Sequence, residues 1–216
     1  MRRKYKTAGS GRGPYGAAQD PRGSARANAD IRSRLPPRVR DVQIRPGRLE
    51  DLEAITAIYN HYVATAACTF ETRQAPASER TAWFAQHTGG PYRLWVAAPV
   101  GGPVVGWAET GKFRPRPAYD TTVEVSVYLS PDWVGNGLGS RLYRVLFDSI
   151  AEEKLHRAVA VIALPNPPSV ALHTRWGFRE VGRLPEVGWK FGRYWDVGLF
   201  ARPLEPGQGA RPEGKR

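Results

Sequence analysis

The 216-residue chain has a single cysteine, Cys68, which excludes an internal disulfide and a cysteine metal cluster. Only four histidines are present, widely scattered, so no metal site is expected. No apolar run approaches the ~18 residues of a membrane-spanning helix. The opening MRRKYKTAGSGRG lacks the apolar core of a secretory leader, so none is expected. A reducing, cytoplasmic setting follows as an expectation.

Acidic residues are scarce at the two ends. Residues 1–40 hold 11 Lys/Arg and 2 Asp/Glu, and residues 205–216 hold 3 and 2. Residues 41–204 carry 18 against 16, so most of the +12 net charge lies in the N-terminal segment. That segment is rich in Arg, Gly, Pro, Ser and Ala and cannot bury enough apolar surface to fold alone. The expected organisation is a disordered basic tail over 1–40, one folded domain over 41–204 and a second disordered tail over 205–216. The basic tail reads as a solvated segment or, alternatively, as a weak electrostatic tether; nucleic-acid binding is not expected beyond residues 1–40, because the folded part is nearly neutral.

The folded part opens with DVQIRPGRL, a short alternating strand. LEDLEAITAIYNHYVAT then places Leu52, Ile55, Ile58, Tyr59 and Tyr62 at helical spacing. SERTAWFAQHT predicts a second helix capped by Ser78. RLWVAAP and VVGWAETG read as a hairpin joined by VGGP. In TTVEVSVYLS, Val123, Val125, Val127 and Leu129 share one face and Glu124, Ser126 and Tyr128 the other. A helix begins near Gly139 or Ser140, RAVAVIALP is a buried strand, and Gly177 ends a short helix as a left-handed cap. Strands near FREVGRLP and YWDVGLFARPL complete an α/β domain with a mixed sheet.

WVGNGLGSRLYRVLF (133–147) carries three glycines between the alternating strand and the helix. Strand, glycine-rich turn and helix form an anion-binding arrangement, because unpaired backbone N–H groups and the helix dipole both favour negative charge. No GxxxxGK[ST] is present. The glycine spacing also departs from GxGxxG, and no acid follows at dinucleotide-fold spacing. A pyrophosphate loop for coenzyme A is the remaining class.

Val134-Gly135-Asn136-Gly137-Leu138-Gly139 and NPPSVALHTRWGF (166–178) resemble, in order and spacing, the two signature halves of the GNAT superfamily of acetyl-CoA-dependent N-acetyltransferases. IYNHYVATAACTFET, RPAYDTTVEVSVYLS and WDVGLF narrow the resemblance, over about 42–204, to the phosphinothricin and methionine sulfone (sulfoximine) acetyltransferase branch. The resemblance implies a GNAT fold, a strongly twisted mixed sheet flanked by helices, with splayed strands holding acetyl-CoA. It implies acetyl transfer to the primary amine of a small amino-acid-like acceptor, and a homodimer. The family's usual cationic side chains are replaced by Val134 and Gly135; backbone N–H groups can still cradle the pyrophosphate, so coenzyme A binding is expected to survive, though weakened.

Glu124 is the candidate general base. Burial between valines would raise its pKa toward the useful range, although the same pattern fits a solvated strand face. By resemblance, Glu124 matches the family's base, and backbone N–H groups of Val127, Tyr128 and Leu129 meet the developing oxyanion. His173 falls where the family places the thiolate's proton donor; a capping histidine is the alternative, with Tyr128 and Tyr143 as fallback donors. Val134 to Ser140 would cradle the pyrophosphate, and Asn166, with Ser169 nearby, would meet the pantetheine arm. In KFRPRPAYD, Arg114 and Arg116 suit a carboxylate clamp or a solvated loop, and by resemblance Phe70 and Tyr119 would wall the pocket. A GNAT enzyme acting on a peptide N-terminus, a polyamine or an aminoglycoside is the alternative; KFRPRP is basic, which disfavours the last two.

Overall fold

The computed structural model describes residues 37–87 and 89–204. The tails expected at 1–40 and 205–216 lie almost wholly outside these residues. The exception is α1 (Pro37–Arg40), a single helical turn on which Val39 is buried. The Arg141 guanidinium donates to the Val39 and Val42 carbonyls, tying this turn and the first strand together.

Seven strands form one sheet in the order β1-β2-β3-β4-β5-β7-β6. They are β1 (Val42–Pro46), β2 (Leu94–Pro99), β3 (Gly106–Lys112), β4 (Thr122–Leu129), β5 (Arg157–Leu164), β6 (Arg179–Lys190) and β7 (Arg193–Pro203). β1 to β4 form an antiparallel meander, and β5, β7 and β6 pair antiparallel. Only β4 and β5 run parallel, because the glycine loop and a helix carry the chain back between them. The sheet is therefore mixed, as the element order implied.

α2 (Leu52–Thr65) covers one face of the meander. Ile55 and Ile58 pack with Leu94, Val96, Ala98, Val104 and Trp107. α4 (Leu138–Ser149) covers the other face, with Leu138, Leu142 and Leu146 buried at four-residue spacing. Across β3 and β4 the two faces separate cleanly. Trp107 and Tyr128 stack toward α2 with ring centroids 4.8 Å apart, while Val123 and Val125 are buried on the α4 side.

α4 begins at Leu138, one residue before the predicted start. The second predicted helix is broken up: a 3-10 turn over Ala77–Arg80, α3 (Thr81–Phe84) and a further 3-10 turn over Ala85–His87. Ser78 is not its cap, because it lies inside the first turn, where its carbonyl accepts from Thr81. α5 (Pro167–Arg175) ends as predicted at Gly177, with φ +81° and the Phe178 N–H returning to the His173 carbonyl. The strand expected near FREVGRLP runs on to Lys190 and forms a long hairpin with β7. Phe191 and Gly192 turn that hairpin at φ +53° and +73°, the left-handed pair of a type I′ turn.

Candidate active site

The β4–β5 pairing covers only Thr122 to Glu124 against Arg157 to Val159. Beyond that point the strands part, and the Val127–Leu129 backbone has no β5 partner. Tyr128 lies opposite Trp107 in a hydrogen-bonded position of the β3–β4 ladder, while the Val127 and Leu129 N–H groups face the gap, a slot in the sheet's centre where a ligand backbone can enter without displacing a strand. The Leu129 carbonyl is already taken by the Tyr62 hydroxyl at 2.7 Å.

The glycine loop lies just past this slot. Gly135 and Gly137 sit at φ +83° and +79°, where only glycine is comfortable. Gly139 lets α4 approach α5 closely, since a Cβ there would stand 3.2 Å from Leu172 Cδ2. No side chain caps the α4 N-terminus and its first turn holds no acid, so N–H groups and dipole are left for an anion. Val134 is exposed and brings no charge, leaving the backbone as the cradle. These features fit a pyrophosphate. Asn166 caps α5 through Oδ1, which accepts from the Ser169 N–H at 3.2 Å. It also lines a second cleft, of about 400 Å³, with Leu164, Val170, Arg183 and Asp196.

Glu124 projects from β4 at the point where the strands part. Its side chain is 32 % exposed, and burial raises its pKa above the ordinary carboxylate range. The Arg114 guanidinium, 4.0 Å away, opposes this rise, and Glu109 adds to it. Arg114 also lies over the Phe113 ring and donates to the Phe113 carbonyl. Arg116 is exposed and precedes the 3-10 turn Pro117–Tyr119, so the structure brings one of the two predicted arginines to Glu124. Tyr119 packs on Phe113. Phe70 lies against Gly188 of β6, where a Cβ would fall 2.1 Å from Phe70 Cζ. Neither ring lines the cleft beneath Glu124.

That cleft, of about 490 Å³, is lined by Glu124, Ser126, Glu109, Gly111, Lys112, Trp83, Gln86, His87 and Tyr92. Glu109 and His87 went unnoticed in the sequence. Glu109 stands in GWAETG as Glu124 stands in TTVEVSV, a carboxylate within an apolar strand. Its importance depends on the register that sets it opposite Ser126.

His173 is buried, 2.8 Å from the Tyr143 hydroxyl through Nε2 and 2.8 Å from the Ser169 carbonyl through Nδ1. A carbonyl only accepts, so Nδ1 carries the proton. Burial lowers the imidazole pKa, with the Ser169 hydrogen bond opposing, which leaves a neutral ring whose Nε2 accepts from Tyr143. The predicted proton donor thus has both nitrogens engaged inside the protein.

Among the described residues no group of three or more His, Cys, Asp or Glu could hold a metal, and no helix is long and apolar enough to cross a membrane.

Known proteins place this architecture. A phosphinothricin N-acetyltransferase of Streptomyces coelicolor is 49 % identical over 170 residues, covering 78 % of this chain and 99 % of that one. An L-methionine sulfoximine/L-methionine sulfone acetyltransferase of Pseudomonas paraeruginosa is 36 % identical over 167 residues, 77 % of this chain and 97 % of its own. The crystal structure of a GNAT superfamily phosphinothricin acetyltransferase from Sinorhizobium meliloti, in complex with AcCoA, superposes with a TM-score of 0.75 at 34 % identity. It covers 81 % of this chain and 95 % of that one. The profile of the acetyltransferase (GNAT) family matches residues 55–178, and the chain belongs to that family.

Proposed function

We propose that this chain transfers the acetyl group of acetyl-CoA directly to the primary amine of a small amino-acid-like acceptor of the phosphinothricin or methionine sulfone (sulfoximine) type. The observation that carries the reading is Glu124 with a raised pKa at the mouth of the parted β4–β5 strands, with Arg114 beside it. Acetyl-CoA supplies an activated acyl thioester. The Gly135–Ser140 backbone holds its diphosphate, Asn166 its pantetheine amides, and the N–H groups of Val127 and Leu129 the thioester oxygen. Arg114 takes the acceptor carboxylate and so presents the neighbouring amine to Glu124, which removes its proton. Family relatives named for just these acceptors support this class.

His173 acts here as a positioning residue. It fixes Tyr143 between α4 and α5, and the departing coenzyme A thiolate takes the proton that the attacking nitrogen sheds as the tetrahedral intermediate collapses.

The active unit in this reading is a homodimer in the cytoplasm. The β6–β7 hairpin presents Val181, Leu184, Val187, Trp189, Phe191 and Tyr194, each between 45 % and 65 % exposed. An apolar row of this length on an edge strand suits a second copy better than water.

Replacing Glu124 by Gln tests the assignment. Thiol release from acetyl-CoA with methionine sulfoximine should drop by about 10²–10⁴-fold, with calorimetric acetyl-CoA affinity unchanged. Undiminished turnover in the variant removes Glu124 from the chemistry.

A further inference from the structure

The cleft beneath Glu124 has a second carboxylate on its inner wall. Glu109 and Glu124 project from neighbouring strands on the same face, as diagonal partners in the register Glu109↔Ser126 and Gly111↔Glu124. The Glu109 side chain is 14 % exposed and is held at one oxygen only. Trp83 Nε1 donates to Oε2 at 3.1 Å, and His87 Nε2 lies 2.6 Å from the same oxygen without an aligned hydrogen bond. His87 is itself 3 % exposed, and its Nδ1 donates to the Trp83 carbonyl, so the group that fixes Oε2 is rigid. Arg80 stacks on the Trp83 ring 4.2 Å away and keeps it in place. Among the described residues Oε1 has no donor, and it is not sealed from the cleft. Lys112, also on the cleft wall, pairs with Asp120 at 3.3 Å.

Glu124 and Glu109 line one cleft, so an acceptor whose amine meets Glu124 and whose side chain enters that cleft comes up against Glu109. We propose that Glu109 is a specificity-determining residue whose free Oε1 accepts a hydrogen bond from the acceptor's side-chain end, selecting amino acids that carry a donor there. This rests on the acceptor class proposed above and divides that class. Methionine sulfoximine has an imine N–H where methionine sulfone has a second oxygen; the two are otherwise the same size and shape. The first can donate to Oε1, whereas the second sets oxygen lone pairs against it. Phosphinothricin ends in an anionic phosphinate and is opposed more strongly. A site built to receive a donor rejects the analogue lacking it, because the pocket's acceptor is then left dry and unpaired.

The test is the ratio of kcat/KM for methionine sulfoximine over methionine sulfone, measured in wild type and in Glu109→Gln. Being taken within one preparation, the ratio is insensitive to the folded fraction. Equilibrium binding of both compounds by calorimetry gives a second reading that does not depend on turnover. Wild type should favour the sulfoximine by about tenfold or more, as a hydrogen bond to a charged acceptor warrants. Glu109→Gln should bring the ratio toward unity and improve phosphinothricin relative to both. A wild-type ratio near unity, or one that survives in Glu109→Gln, overturns the role of Glu109 and leaves the acceptor class standing. No turnover or binding of any of the three compounds overturns the acceptor class and this inference together.

Discussion

If Glu124 is the base, its two charged neighbours should move the acid limb of the pH profile in opposite directions. Its pKa is already raised, so the active carboxylate is present at high pH and lost as pH falls through that raised value. The groups around it are Arg114 at 4.0 Å and, lining the cleft, Glu109, Lys112, His87 and Tyr92. Arg114 and Glu124 are 50 % and 32 % exposed, so the screening is close to that of water. Unit charges 4 Å apart then interact by about 1 kcal/mol, which corresponds to about 0.7 pH unit. Arg114→Gln should therefore move the limb upward by up to that amount. Glu109, a diagonal neighbour on the same face of the sheet, repels the Glu124 carboxylate and adds to the rise. Glu109→Gln should move the limb downward. The assay is kcat/KM for one acceptor across the acid range, in low salt, with wild type run alongside so that the acceptor's own titration cancels. Shifts of the same sign in both variants, or no shift in either, would refute Glu124 as the titrating base.

Gly137→Ala forces a Cβ into a left-handed residue, at about 1–2 kcal/mol. The loop should relax away from its anion-binding form and raise the KM for acetyl-CoA about tenfold, with kcat at saturation nearly unchanged in steady-state kinetics. Tyr143→Phe leaves the buried His173 Nε2 without its donor, at about 1–3 kcal/mol, read as a lower urea midpoint; a midpoint equal to wild type would show the pair to be idle. Trp189→Asp places a charge in the exposed apolar row of β6 and should turn a dimer into a monomer in analytical ultracentrifugation.

The elements were legible wherever the chain repeats one instruction. α4 declares itself by Leu142, Leu146 and Ile150, and the loop before it by glycines that no helix or strand would choose. Gly177 was legible because a stop after a short amphipathic run demands a left-handed residue. The second helix was misread because SERTAWFAQHT has helical composition throughout, and composition does not announce where the run breaks. Pro76 starts it as a 3-10 turn, and Arg80 turns inward onto Tyr59 and Trp83 instead of staying in water. The end of β6 was missed because Glu186, at φ +53°, interrupts the alternation with a bulge between Leu184 and Gly188.

The site was half legible for a related reason. A residue's type and its strand neighbours reveal that a carboxylate is out of place, and both Glu109 and Glu124 pass that test. They do not reveal which carboxylate stands beside the gap. That depends on β4 and β5 pairing for three residues and then parting, a register that no single strand's sequence states. The same limit applies to His173. Its place in the signature suggested a proton donor, whereas burial lowers its pKa and both ring nitrogens are engaged by Tyr143 and the Ser169 carbonyl. In both cases the chemistry of the side chain was available early, and its protonation state only once its neighbours were known. The acceptor preference is of the same kind: Glu109 becomes a selector only because Trp83 and His87, one helical turn apart, both converge on Oε2 and leave Oε1 to the ligand.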